Sequence, residues 1–412
     1  MYGANEMAID GDSQTDVRYI RITDIDGHGT LQSEDWKTAK RVEEKYSLNE
    51  NDILFARSGA TAGKAFIYKR EHGRAIFAGY LIRFRFDETR INPLFVFYYT
   101  LLSRYKSWVR TIQRPSGQPN INSMEFRSFE IPLPPHDIQN HIVEIMQSAD
   151  DQKKQKEQEA NTLLDSIDDY VLAELGIEMP KLEENTIENR IFTATLSEVY
   201  GRRLDPEVHY QIYSLDTKSY PMEKLQNCVR INPTPSFYGY ELDTSITFIP
   251  MEKVSAEYGE ADLSLSKMVK EAKGYTKFRE NDLIWAKITP CMENGKSAVV
   301  DNLKGGIGIG STEFHVFRAL EGINIHYIHA LLRLKSLREH ATLYFTGSAG
   351  QQRVSSEFFK ELVIPKPPIE KQTQIANHIT EIRNYAKQLQ QEADAIVEAA
   401  KKEVERVILE GI

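Results

Sequence analysis

The stretch "IPLPPHDIQNHI" at residues 131–142 returns as "IPKPPIEKQTQI" at residues 364–375, 233 positions later. Both obey Ile-Pro-x-Pro-Pro-x-x-x-Gln-x-x-Ile, and each runs into a long charged segment. Proline continues neither a ladder nor a helix interior, so each string closes the unit before it. Other landmarks repeat in the same order. Glu50-Asn51-Asp52 matches Glu280-Asn281-Asp282 at an offset of 230, Gly63-Lys64 matches Gly295-Lys296 at 232, and Gly117-Gln118 matches Gly350-Gln351 at 233. Landmarks in register over such a span indicate an internal duplication of two large units rather than a solenoid of small ones.

Each unit mixes two periodicities. "DILFARSG" (52–59) and "DLIWAKIT" (282–289) are short apolar runs opened by Asn-Asp, the pattern of strands. "AIFAGYLIRFRF" (75–86) and "STEFHVFRAL" (311–320) alternate like half-buried strands, and "GGIGIG" (305–310) reads as a turn leading into the second. "PLFVFYYTLLSRYKSWV" (93–109) and "IHYIHALLRLKSLREHA" (325–341) read as helices. Each unit is therefore an α+β globule.

The segments after the proline strings carry a four-three rhythm. Positions 138, 142, 145, 149, 152, 156, 159, 163 and 170 are apolar at both ends (Ile138, Ile142, Ile145; Leu163, Tyr170) and polar in the middle (Gln152, Lys156, Glu159). Positions 375, 379, 382, 386, 389, 393, 396, 400 and 407 are apolar throughout, including Ile375, Ile379, Ile382, Leu389, Ile396 and Val407. This is the seam of a coiled coil. Each helix is about 40 residues, roughly 60 Å long at 1.5 Å per residue, and ends in a similar tail, "LAELGI" (172–177) or "VILEGI" (407–412). The expected architecture is α+β: two globules related by duplication, separated by two long antiparallel coiled-coil helices. Its segments are a first globule over 1–133, a central helix over 134–177, a second globule with its lead-in over 178–366, and a C-terminal helix over 367–412.

Composition bounds the function. The chain of 412 residues is 41% hydrophobic and 27% charged, ordinary values for a multi-domain globular protein. No apolar run has the length of a membrane span, and the N-terminus has no basic-then-apolar signal. Cys228 and Cys291 sit in no C-x-x-C frame, so neither a disulfide framework nor a zinc site is expected, and a cytoplasmic protein fits. The net charge of −9 argues against a nucleic-acid binder when taken whole. The charge is segregated, however. Residues 57–114 hold 12 Lys/Arg against 3 Asp/Glu, whereas residues 136–200 hold 5 basic and 15 acidic side chains. A phosphate-facing surface survives a negative total when charges separate in this way.

"RYIRITDID" (18–26), "ENDILFARSGATAGK" (50–64), "GRRLDPEVHY" (201–210), "GSTEFHVFR" (310–318) and the two proline strings together resemble the specificity subunit of type I restriction–modification systems. The resemblance covers nearly the whole chain. It implies a non-catalytic subunit with no cofactor and no metal, in which each globule reads one half of a split double-stranded DNA site. It also implies that the helices act as a spacer and dock two adenine-N6 methyltransferase subunits. Motor–nuclease (restriction) subunits join the full complex in that family; the sequence leaves open whether they do so here. One departure is visible. The second unit opens with "YPMEKLQNCVRINPTPSFYGYE" (220–241), and a shift by 230 puts the counterpart of Leu225 before Met1. Either the chain begins late or the first globule completes its sheet differently. A missing strand would leave an edge open to pairing.

DNA recognition needs cations for phosphates and donor–acceptor side chains for base edges. In the first unit, "ARSGATAGK" supplies Arg57, Ser58, Thr61 and Lys64, and "QRPSGQPN" supplies Gln113, Arg114, Gln118 and Asn120. In the second, "AKITPCMENGK" supplies Lys287, Thr289, Asn294 and Lys296, and "GSAGQQR" supplies Gln351, Gln352 and Arg353. Frames agree while side chains differ, so the expected target is an asymmetric gapped sequence. Enzyme readings fare poorly. "NPTPSF" (232–237) interrupts the prolines of a methyltransferase box, "GGIGIG" lacks the Lys-Ser/Thr of a phosphate loop, and the histidines show no metal-ligand spacing. A coiled-coil scaffold that binds only proteins is the alternative; the charge split favours DNA reading.

Overall fold

The structure, a computed structural model, describes residues 1–32, 35–112, 119–179, 186–187, 191, 193, 195, 213–347 and 351–410. The chain divides into two compact units, Met1–Glu157 with Gln390–Ile412, and Gln158–Leu389.

The strands of the first unit are β1 (Ala8–Asp10), β2 (Arg18–Ile20), β3 (Lys37–Ala39), β4 (Ile53–Ala56), β5 (Ala65–Ile67), β6 (Ala75–Phe77) and β7 (Leu81–Phe84). They pair as a three-stranded sheet β5-β4-β7 and as the pairs β2-β6 and β1-β3. β4 is buried at all four positions because both its faces are covered. Alternate residues feed different cores: Ile53 and Phe55 enter one, Leu54 and Ala56 another. Helices α1 (Pro93–Tyr99), α2 (Ser103–Ile112) and α3 (Ser123–Arg127) follow. The Asn92 side chain caps α1 by accepting from the Leu94 N–H at 2.9 Å, and Pro93 supplies the first turn. The single strand expected over 75–86 is two. The Leu81 N–H donates to the Ala78 carbonyl at 2.9 Å, closing a turn after β6. β6 then pairs with β2 and β7 with β4, in different sheets.

The second unit holds β8 (Met222–Lys224), β9 (Val229–Ile231), β10 (Ser245–Ile249), β11 (Ser266–Met268), β12 (Thr276–Arg279), β13 (Asp282–Ala286), β14 (Ser297–Val300), β15 (Ile307–Gly310), β16 (Phe314–Ala319), β17 (Phe345–Thr346), β18 (Arg353–Val354) and β19 (Val363–Pro365). The principal sheets are β14-β13-β16-β9 and β11-β10-β15-β12, with β8 paired to β19 and β17 to β18. Helices α4 (Ile325–Arg333), α5 (Lys335–Thr342) and α6 (Ser356–Glu361) repeat α1 to α3. The Gly-rich run at 305–310 is mainly strand β15 rather than a turn. A Cβ at Gly308 would lie 2.2 Å from the Phe278 ring, so these glycines make room for an aromatic side chain.

The duplication holds at the level of single hydrogen bonds. Asn51 and Asn281 both adopt left-handed backbone, with φ of 68° and 59°, which asparagine tolerates better than most residues. The next residue is buried in each copy and binds an arginine bidentately: Asp52 with Arg85 at 2.6 and 3.1 Å, Asp282 with Arg318 at 2.7 and 2.7 Å. The Glu-Asn-Asp landmark is thus a turn plus a buried ion pair. The proline template has a similar explanation. Gln139 and Gln372, 1% and 0% exposed, each donate to the carbonyl of the proline five residues earlier, at 2.8 and 2.9 Å. Each also accepts from the backbone N–H of the residue capping the globule's first helix, Asn92 or Asn324, at 2.7 and 2.9 Å. The glutamine fastens the start of the long helix to the globule before it.

The long helices are His136–Leu175 and Ile369–Glu410. Within each unit, segments of both share a core with the globule. In the first unit Ile142, Val143, Met146 and Ala149 meet Ala400, Val404 and Ile408. There Lys153 pairs with Asp394 at 3.3 Å and Lys156 with Glu392 at 2.6 Å, so the two helices run antiparallel. In the second unit Val171 and Leu175 share a core with Ile375 and Ile379, and Lys371 pairs with Glu174. Of the expected seam, Ile142, Ile375, Ile379 and Leu389 are buried, and Ile138, Ile145, Leu163, Tyr170, Ile382, Ile396 and Val407 are half-buried. Gln152 and Glu159 are exposed, a correction to the expected rhythm; their neighbours Lys153 and Ala160 turn inward. The inward positions run 142, 146, 149, 153, 156, 160, so every second member of the expected series stands one residue early. Ile145 misled the reading because it packs on the flank of the core beside Met146.

Candidate nucleic-acid interface

In each unit the central strand, β4 or β13, ends where a loop begins, and a later loop is laid alongside it. In the first unit the Ile121 N–H donates to the Arg57 carbonyl at 2.8 Å, and the Gly59 N–H to the Pro119 carbonyl at 2.9 Å. In the second, the Val354 N–H donates to the Lys287 carbonyl at 2.9 Å, and the Thr289 N–H to the Gln352 carbonyl at 3.0 Å. A third segment is fixed beside them by the bonds from Arg57 N–H to Tyr80 O and from Lys287 N–H to Glu313 O, both 2.9 Å. The same backbone frame therefore presents Arg57, Tyr80 and Asn120 in one copy and Lys287, Glu313 and Arg353 in the other.

The tips differ in electrostatics. Arg57 lies over the Tyr2 ring at 4.9 Å, and its Nε donates to Asn120 Oδ1 at 3.3 Å. The side-chain oxygen it bonds is thus that of an uncharged carboxamide. Tyr80 beside it is 60% exposed. An arginine, an exposed aromatic ring and a carboxamide form a surface that can hydrogen-bond and stack against bases. In the second copy Arg353 makes a two-point pair with Glu313, at 2.8 and 3.0 Å. That guanidinium holds the Glu313 carboxyl below its ordinary range. His315, two residues farther along and buried in β16, supports the loop by contacting the Val354 carbonyl at 2.9 Å; burial pushes its pKa down to about 4.

The remaining expected residues divide by role. Ser58 is buried and bridges Asn120 through the backbone. Thr61 spends its hydroxyl on the Ser58 carbonyl at 3.1 Å. Lys64 and Lys296, expected to meet phosphate, are half-buried and donate to the carbonyls of Ile25 and Met251 at 3.2 and 3.1 Å. Each ties its loop to a short helical turn, and the left-handed glycines before them, Gly63 and Gly295, set that path. Thr289 bonds to Glu293; Asn294 and Gln351 are exposed, and Gln352 is half-buried. Gln113, Arg114 and Gln118 lie outside the described residues. Tyr80 and Glu313 were missed by the motif reading. Their signal was the 233-residue offset itself, which pairs them at the entry to matching strands. Among the described residues no His, Cys, Asp or Glu cluster is placed to hold a metal ion, and no helix is long and apolar enough to cross a membrane.

Comparison with known proteins agrees with this duplicated arrangement. The family model for the type I restriction modification DNA specificity domain matches residues 12–165 and again 234–398. The chain is similar to the specificity subunits of two type I restriction enzymes of Escherichia coli. It is 38% identical to that of EcoAI over 169 residues and 37% identical to that of EcoEI over 170. Each match takes in 40% of this chain and 28% of the relative, so the chain spans little more than a quarter of those proteins' length. A chain solved in work on "complex assembly" and "conformational transition of the type I R-M system" covers 100% of this chain and 95% of its own length, with a TM-score of 0.54 and 12% identity; that likeness is one of fold.

Proposed function

We infer the role of this chain from family and geometry together: the chain belongs to the type I restriction–modification DNA specificity family, and its two globules carry equivalent loop frames with unlike tips. The chain is a non-catalytic specificity subunit that recognises DNA sequence. Each globule reads one half of an asymmetric, bipartite site, and the long helices set the gap between the halves. The helices dock two DNA adenine methyltransferase subunits, restriction subunits joining where the system cleaves, and the complex acts in the cytoplasm. The observation that carries this reading is the matched set of backbone bonds holding Arg57, Tyr80 and Asn120 in one copy and Lys287, Glu313 and Arg353 in the other. Arginine binds guanine bidentately and asparagine binds adenine, each worth about 1–3 kcal/mol of discrimination. A frame that is kept while its tips change supports two different half-sites.

The test is to map methylated adenines in DNA from cells expressing this chain with its methyltransferase partner. Two unlike half-sites at one fixed spacing are expected; a palindrome, or a continuous unsplit motif, would overturn the reading. The overall charge of −9 favours the competing scaffold reading. Duplex binding by the assembled complex over a salt series separates the two, because phosphate contacts release counterions and a protein scaffold has none to release.

A further inference from the structure

The second tip carries a pair of side chains whose hydrogen-bonding order can be counted. The Lys287 backbone pins both members: its N–H donates to the Glu313 carbonyl at 2.9 Å, and its carbonyl accepts from the Val354 N–H at 2.9 Å. Glu313 and Arg353 thus arrive from separate segments and meet side by side. Arg353 Nε donates to one carboxylate oxygen at 2.8 Å and Nη2 to the other at 3.0 Å, while Nη1 donates to the Gln351 carbonyl at 2.7 Å. The side chains of Glu313 and Arg353 are 24% and 37% exposed. A pair so open to water adds little to stability, so folding does not account for it.

A carboxylate repels phosphate, which makes it a poor choice for a DNA-facing loop unless it meets a base. Capacity for that is left over. Each carboxylate oxygen accepts one bond from Arg353 and has a second lone pair, and each terminal nitrogen of Arg353 has two N–H groups and spends one. Counted outward from Glu313, the pair offers an acceptor, then a donor at Nη2, then a donor at Nη1. In the major groove a C·G pair shows the complement in the same order: the cytosine N4–H donor, then the guanine O6 and N7 acceptors. A T·A or A·T pair has an acceptor at either end, thymine O4 or adenine N7, and so sets one against the carboxylate. A G·C pair, the same bases reversed, sets guanine N7 there.

We propose that Glu313 and Arg353 together read one C·G base pair in the half-site of the second globule, Glu313 accepting from the cytosine N4–H and Arg353 donating to guanine O6 and N7. The assignment rests on the DNA reading proposed above and adds the identity of a base pair to it. Glu313 decides the orientation. Arg353 alone would take guanine on either strand, and the carboxylate rejects the reversed pair because it then faces the N7 acceptor. The positions 233 residues earlier hold Tyr80 and Asn120, so this requirement is confined to the second half-site.

The test uses the full chain assembled with its methyltransferase partner, after mapping of methylated adenines has given the motif. Methylation rates are measured on duplexes in which each C·G pair of the two half-sites is reversed in turn to G·C. At one pair of one half-site the wild type should favour C·G over G·C by about tenfold. Glu313→Ala should methylate both alike there and keep the preferences of the other half-site. N4-methylcytosine at the same position still pairs with guanine but blocks the groove-facing N–H. It should slow the wild type by about tenfold and leave Glu313→Ala unaffected. This probe alters only the DNA, so it is independent of how a variant folds. A motif in which no C·G pair responds to Glu313→Ala, or a responding pair indifferent to the N4-methyl group, overturns the proposal and leaves a split motif standing. A palindromic or unsplit wild-type motif overturns the underlying reading too, which tells the two failures apart.

Discussion

At the tip of the first globule Arg57 lies over a tyrosine ring and touches an asparagine; at the same place in the second, Arg353 is clamped by Glu313. The backbone bonds beneath are the same to within 0.1 Å in length. Beneath the tips, both copies also bury an aspartate against an arginine and fasten a long helix with a glutamine. The lesson is a division of labour. Side chains whose hydrogen bonds are internal hold the frame and repeat; those that face outward set the chemistry and differ. The residue type does not reveal which group a side chain is in. Lys64 and Lys296 look like phosphate ligands and are frame, whereas Tyr80, which looks like filler, is exposed.

The largest effect that would sharpen this comparison is in the frame. Asp282→Ala leaves Arg318, 13% exposed, without its partner, and unpairing a buried ion pair costs about 3–5 kcal/mol. Asp52→Ala should cost less, because its two-point partner Arg85 is 52% exposed to water, and buried Arg83, 3.6 Å from the carboxylate, keeps its bond to the Ser47 carbonyl at 2.8 Å. Urea unfolding of the two variants measures the difference; equal losses would break the distinction.

Acid should separate the units next. His315 and His340 have pKa values pushed down to about 4 by burial, and burial also pushes His329 well below its ordinary value. Each is neutral when folded and gains its proton more readily when unfolded. Their contribution is therefore complete above about pH 6.5 and is lost as pH falls toward 4. For His315 alone the loss is roughly 3 kcal/mol. The second unit should unfold at a higher pH than the first during acid titration, followed by tryptophan fluorescence of Trp285 against Trp108. His315→Gln should narrow the gap.

At the tips, Arg57→Ala should weaken recognition of one half-site by about 1–3 kcal/mol and leave the other unchanged. In contrast, Glu313→Gln should free Arg353, strengthen nonspecific duplex binding and steepen the salt dependence by about one unit. Competition assays on oligonucleotides altered in one half-site distinguish these outcomes. The smallest effect belongs to the lysines. Lys64→Met and Lys296→Met should each cost about 1 kcal/mol of stability through a lost carbonyl bond, with no change in the salt slope. A shallower slope would return them to the DNA surface.

The duplication, the α+β class, the two long helices and the positions of the loop pairs were legible in the sequence, because each depends on local signals. Prolines stop ladders, Asn-Asp makes a left-handed turn, and apolar residues recur at helical or strand spacing. Tertiary structure decided the rest. Whether Ile145 or Met146 turns inward depends on what the facing helix and the globule offer. Whether Gly308 is turn or strand depends on a phenylalanine 30 residues away. Whether a lysine is frame or contact depends on which carbonyl comes within reach. A hydrogen bond forms only between groups that folding brings together, so one strand of letters fixes which donors exist and the packed chain fixes which are left to face a partner.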